Sequence, residues 1–131
     1  MKKALSIIAV LALVAVLGVA LVACVPSDPD KAVANLKEAG YITTVAKASD
    51  GIGVQYGLEA AYGKGCIATV GGTYVSTGGG GMINLVYFDS VENAKAYWDT
   101  IKDNEVDEGW KAARSGKVVY AGTEAAVKAV G

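Results

Sequence analysis

The sequence predicts an α+β domain: an antiparallel sheet of about four to five strands with two to three helices packed on one face. Three observations carry this expectation. The order of elements reads helix, several strands, helix, strand, helix, without the regular strand-helix alternation of a parallel sheet. MINLVYF, Met82 to Phe88, is the most apolar strand-like segment and belongs at the centre of a sheet. Immediately after it, Val91, Ala94, Trp98 and Ile101 make a stripe at helical spacing.

Taken in order, Ser27 or Asp28 is placed to cap a helix with Pro29 in its first turn and Asp30 near its positive end. Ala32, Val33, Leu36 and Ala39 share one face, and Gly40 stops the helix. Tyr41 to Lys47 is β-branched and reads as a strand, followed by a turn at Ser49-Asp50-Gly51. In VQYGLEA, alternation of Val54, Tyr56, Leu58 and Ala60 predicts a half-exposed strand, with a short helix over Leu58 to Tyr62 as its rival. CIATVGGTYV is a strand with a break or bulge expected at Gly71-Gly72, and STGGGG, Ser76 to Gly81, reads as a hairpin loop.

Asp89 with Glu92 three residues on has capping-box spacing ahead of the helical stripe. Asn104 to Gly109 is an acidic connection, and Trp110 to Arg114 reads as an added helical turn. Lys117 to Ala121 is a final strand, after which Gly122 and Thr123 cap a closing helix, Glu124 to Val130.

The first 23 residues stand apart from this domain. Lys2 and Lys3 precede a run without charge from Ala4 to Val25, 22 positions long. As a helix at about 1.5 Å per residue it reaches about 33 Å, enough for a hydrocarbon core of about 30 Å. The end of the run discriminates better than its length. Leu21-Val22-Ala23-Cys24 resembles the lipobox of bacterial lipoprotein precursors, with Val22 a less usual residue at its position.

The resemblance implies that Leu21, Val22 and Ala23 are read by the lipoprotein signal peptidase, that Cys24 is thioether-linked to diacylglycerol, and that cleavage makes Cys24 the new N-terminus. Two acyl chains are what durable anchoring requires, since one alone binds only marginally. The division expected is therefore a signal peptide over 1–23, a lipidated Cys24 with a short tether to residue 28, and a single domain over 29–131. The alternative is an uncleaved single-pass protein whose outer domain acts as an accessory subunit of an envelope complex. Against it, no Trp or Tyr marks either end of the run, and Pro26, Ser27 and Pro29 follow without basic residues. Under both readings the lysines hold the N-terminus inside and place the domain outside the cytoplasm, at the cell membrane.

After the leader, 50 of the remaining 108 residues are apolar, an ordinary globular fraction for one core. That portion carries 10 basic and 13 acidic residues, a formal charge of −3. Such a balance argues against nucleic acid as a partner, because phosphate binding needs clustered lysine and arginine. If Cys24 carries lipid, Cys66 stands alone and is read as a small buried apolar side chain.

The glycine motifs do not form a phosphate loop. Gly51-Ile52-Gly53-Val54-Gln55-Tyr56-Gly57 sets its last glycine one residue too far for the dinucleotide fingerprint and is not expected to run from strand into helix. Gly63-Lys64-Gly65-Cys66 lacks the hydroxyl residue after lysine, and Gly78 to Gly81 precedes a strand. The acidic residues Asp99, Asp103, Glu105, Asp107 and Glu108 suggest calcium, but an EF-hand begun at Asp103 would need glycine at Glu108 and glutamate at Arg114.

The chain has no histidine, so imidazole-based hydrolysis and the usual zinc sites are not expected, and no carboxylate pair is set apart for glycoside cleavage. No catalytic residue, metal or cofactor is assigned. Aromatic side chains remain as binding anchors, and Trp110, in the polar context Gly109-Trp110-Lys111, is the candidate partner contact. A partner protein or small ligand is expected, its identity open.

Overall fold

The computed structural model describes residues 25–76, 79–106 and 108–131. The leader and Cys24, with the lipobox residues Leu21, Val22 and Ala23, lie outside the described residues. Four helices and five strands follow in the order α1 (Pro29–Glu38), β1 (Ile42–Lys47), α2 (Ile52–Tyr62), β2 (Cys66–Ser76), β3 (Gly79–Phe88), α3 (Val91–Ile101), β4 (Trp110–Ser115), β5 (Val118–Thr123) and α4 (Glu124–Val130). The sheet order is β1-β2-β3-β5-β4, and every neighbouring pair is antiparallel. This is the α+β class expected, with the apolar strand β3 at the centre.

Among the described residues four helices cover both faces of this sheet, rather than two or three on one face. The cause lies in β3, which is apolar on both sides. Ile83, Leu85 and Tyr87 point to one face, where α1 and α4 close a core with Leu36, Ala32, Ala126, Val127 and Val130. Val86 and Phe88 point to the other, where Leu58 of α2 and Ala94 of α3 complete a second core with Cys66 and Val119. A strand buried on both faces requires two covering layers.

Local chemistry sets the helix ends. The Asp28 carboxylate accepts from the Asp30 N–H at 3.0 Å to cap α1, and Pro29 fills the first turn. Gly40 ends the helix at φ +93, a conformation that favours glycine. At α3 the cap is Ser90, whose hydroxyl accepts from the Asn93 N–H at 3.1 Å, and not Asp89 as its spacing to Glu92 suggested. Asp89 instead accepts from the Asn93 side-chain amide at 2.8 Å. Thr123 caps α4 as expected.

Four further expectations are corrected. Residues 52–62 are helical, because Val54, Leu58 and Tyr62 recur every four residues against the second core while Tyr56 stays 65% exposed. Consequently Gly51 follows β1 through one tight 3-10 turn, Ala48–Asp50, and opens α2, so a strand does lead toward a helix here. The glycine spacing still departs from the dinucleotide pattern. Gly71 and Gly72 pair in register with Asn84 and Ile83, and the irregularity of β2 falls between Cys66 and Ala68. Trp110 to Arg114 is not a helical turn but part of edge strand β4, paired residue for residue with β5.

Part of the stretch read as a short tether, Val25 and Pro26, packs against the domain. Val25 is 6% exposed within the first core, and the carbonyl of Pro26 accepts a hydrogen bond from the Tyr87 hydroxyl at 3.1 Å.

Candidate functional site

The second face of the sheet is only half covered, and strand register shows where the cover ends. Ala46, Thr69, Val86, Val119 and Arg114 form one row across all five strands. Val86 and Val119 of this row are sealed under α2 and α3. The next row, Thr44, Gly71, Asn84, Ala121 and Ala112, meets the edge of the helices. Beyond it, Ile42, Thr73 and Met82 make a third row, with Ile42 77% and Met82 43% exposed.

A cleft of about 440 Å³ opens where the helices stop. Its floor is Thr44, Thr69, Gly71, Asn84 and Ala121, and its walls are Tyr62, Tyr97 and Ile101. Glycine at 71 keeps the floor low. A Cβ there would sit 2.9 Å from the Thr44 hydroxyl oxygen and 3.5 Å from the Asn84 amide oxygen, filling the space between the two polar groups. The aromatic wall is held by stacking: Tyr62 and Tyr97 meet edge to face at 5.8 Å and 85°, and Tyr97 lies 5.6 Å from Phe88. Burial, reinforced by Tyr62 and Cys66 nearby, raises the Tyr97 phenol above its ordinary range, so it remains a neutral donor at physiological pH.

The lining thus offers two hydroxyls and an amide on the floor, with aromatic and aliphatic walls and no charged side chain. That combination recognises a neutral or amphipathic group through a few hydrogen bonds and stacking contacts. Among the described residues no group of three or more His, Cys, Asp or Glu is placed to share a metal ion.

The sequence-derived residues fall elsewhere. Trp110 is half-buried at the start of edge strand β4, opposite Thr123, and does not line the cleft. Cys66 is 1% exposed, its thiol directed to the Ala68 carbonyl at 3.8 Å, and burial pushes it up to about 11. It is the buried apolar side chain expected. Cys24 lies outside the described residues, but its neighbour Val25 is fixed in the core.

Sequence reasoning missed the cleft because its floor is assembled from single residues on separate strands, which only register brings together. One signal was present: Asn84, a polar amide in the middle of the most apolar strand. Comparison with protein-family models, with curated proteins and with solved structures finds no match.

Proposed function

We propose that the chain is a membrane-anchored extracytoplasmic lipoprotein whose small domain binds a partner protein or ligand at the half-covered face of its sheet. The observation that carries the anchoring is Leu21-Val22-Ala23-Cys24 at the end of an uncharged run that follows Lys2 and Lys3. The cleft over Gly71 supports a binding role, since it sets polar floor groups beside the Tyr62 and Tyr97 rings. Among the described residues no helix is long and apolar enough to cross a bilayer.

Labelling with radioactive palmitate during expression in a bacterium tests the anchor. Label on the mature protein, lost in Cys24→Ser with accumulation of unprocessed chain, is the expected result. The length of the run from Ala4 to Val25 favours a second reading, a retained single-pass anchor with the domain serving an envelope complex. Full-length, unlabelled wild-type protein in the membrane would establish that reading instead. For the cleft, Gly71→Val should abolish capture of whatever copurifies with the membrane-extracted protein while leaving the fold intact, as read by circular dichroism.

A further inference from the structure

The two edges of the sheet are guarded unequally. β4 carries Lys111 and Arg114, charges of the kind that discourage another strand from joining. β1, on the other edge, begins Ile42-Thr43-Thr44-Val45, with Ile42 and Val45 exposed. The charged groups between Ile42 and Tyr62 are all engaged within the chain. Lys47 pairs with Asp30, Asp50 accepts from the Lys47 N–H, and Glu59 accepts from the Gly65 N–H.

Hydrogen bonding shows how much of the β1 edge is free. At its two ends, the Tyr41 N–H donates to the Leu36 carbonyl at 2.9 Å and the Lys47 N–H to the Asp50 carboxylate at 3.0 Å, both away from β2. Alternate residues of a strand turn their backbone groups to the same side, so Thr43 and Val45 also face outward, and Ile42, Thr44 and Ala46 bond to β2. The same phase, carried through the register, sends the Met82 N–H toward β5, where it donates to the Thr123 hydroxyl at 3.3 Å. Between the two occupied ends, the N–H and C=O groups of Thr43 and Val45 meet no partner among the described residues.

Such a window is complementary to itself. Antiparallel pairing about a two-fold axis through Thr44 sets Thr43 opposite Val45 of the second copy, and the reverse, so each free N–H meets a free carbonyl. With the axis perpendicular to the sheet, corresponding faces continue across the seam. Ile42 then lies opposite Ala46 of the second copy, on the face covered by α2, which starts one 3-10 turn after β1 with the exposed Ile52. The same contact recurs on the other side of the axis. An unrelated extended peptide would find the same short window, but it would bring no helix to cover Ile42.

We propose that β1 joins β1 of a second copy of this chain, making one continuous antiparallel sheet across a dimer whose axis passes through Thr44. Thr44 is also the outermost floor residue of the cleft, so the two clefts open side by side at the seam. The dimer goes beyond the anchoring and binding readings and depends on neither.

Sedimentation velocity of the full chain in density-matched detergent tests it. Wild type is expected at twice the chain mass. Thr44→Lys and Thr44→Glu set like charges against each other at the axis, and each alone is expected as a monomer with unchanged far-ultraviolet circular dichroism. Mixed, the two variants should recover the dimer, because lysine then faces glutamate. In a Cys66→Ala background, mild oxidation should link Thr44→Cys chains to one another, while Lys111→Cys, exposed on the other edge, stays at the level of the background protein. A monomeric wild type overturns the proposal, and so does a dimer that Thr44→Lys leaves intact. Charge variants that dissociate but do not recombine, or Thr44→Cys chains that do not link, overturn the axis at Thr44. Should a charge variant lose its circular dichroism, the cysteine linkage decides.

Discussion

The Tyr87 hydroxyl donates a hydrogen bond to the Pro26 carbonyl at 3.1 Å, across 61 positions of chain, and so clamps the segment before α1 to the end of the central strand. Tyr87 is 1% exposed, and its ring fills the first core whether or not the hydroxyl is present. Tyr87→Phe therefore isolates the clamp. It should lower unfolding stability by about 1 kcal/mol, the usual net value of one such bond, and raise protease cleavage between Val25 and Asp28. Urea denaturation and limited proteolysis measure the two effects. Unchanged stability together with unchanged cleavage would show that the bond contributes nothing.

Alkaline pH should destabilise the domain progressively. Burial raises the Tyr41, Tyr87, Tyr97 and Tyr120 phenols, and it pushes the Cys66 thiol from its ordinary 9.0 up to about 11. The unfolded chain loses these protons at lower pH than the folded one, so folding holds more protons and stability falls as pH rises. For Cys66 the contribution is complete below about pH 9 and is lost as pH climbs through about 11. Its share is on the order of 2 kcal/mol. Cys66→Ala should flatten the early part of the decline in urea midpoints measured between pH 8 and 11.

Two glycines of the sheet should differ sharply in their tolerance of alanine. At Gly122 a Cβ would lie 2.6 Å from the Met82 carbonyl oxygen and 2.8 Å from the Ile83 Cβ, so backbone must move. At Gly71 the nearest atom, 2.9 Å away, is the rotatable Thr44 hydroxyl. Gly122→Ala should cost about 2–3 kcal/mol, in the range for overpacked cores, and Gly71→Ala well under about 1 kcal/mol. Chemical denaturation of the two variants decides, and equal costs would refute the distinction.

Ser90 and Asp89 are adjacent, and only one of them satisfies a backbone donor of α3. Ser90→Ala should destabilise by about 1 kcal/mol, the usual value of a side-chain cap. Asp89→Ala, which breaks an exposed contact with the Asn93 side chain, should cost a few tenths at most. Thermal midpoints in the reverse order would restore Asp89 as the cap.

The legible parts of this fold were those where a local pattern has one interpretation. Asp28-Pro29 marks a helix start, Met82 to Phe88 a central strand, and Thr123 a closing cap, because each signal is a covalent or capping property of its own residues. Residues 52–62 carried two superposed patterns. Tyr56 completes an alternation but is solvent-exposed, and only the packing of Leu58 on the second core selects the helix. Trp110 to Arg114 is rich in alanine, a good helix former, yet its partner strand β5 overrides that preference by supplying a ladder of hydrogen bonds. The cleft was illegible for a third reason. Thr44 and Gly71 are unremarkable in sequence, Asn84 stands out only as a polar residue within an apolar strand, and the three acquire a common meaning only through strand register.

The wall shared by the two cores has a consequence for how the domain comes apart. Val86 and Phe88 serve one layer of helices, and Leu85 and Tyr87, their immediate neighbours in the chain, serve the other. Neither layer can melt and leave β3 intact for its counterpart. Heat or denaturant should therefore dismantle both sides in a single cooperative step, with tryptophan fluorescence from Trp98 and Trp110 and far-ultraviolet circular dichroism tracing superimposable curves.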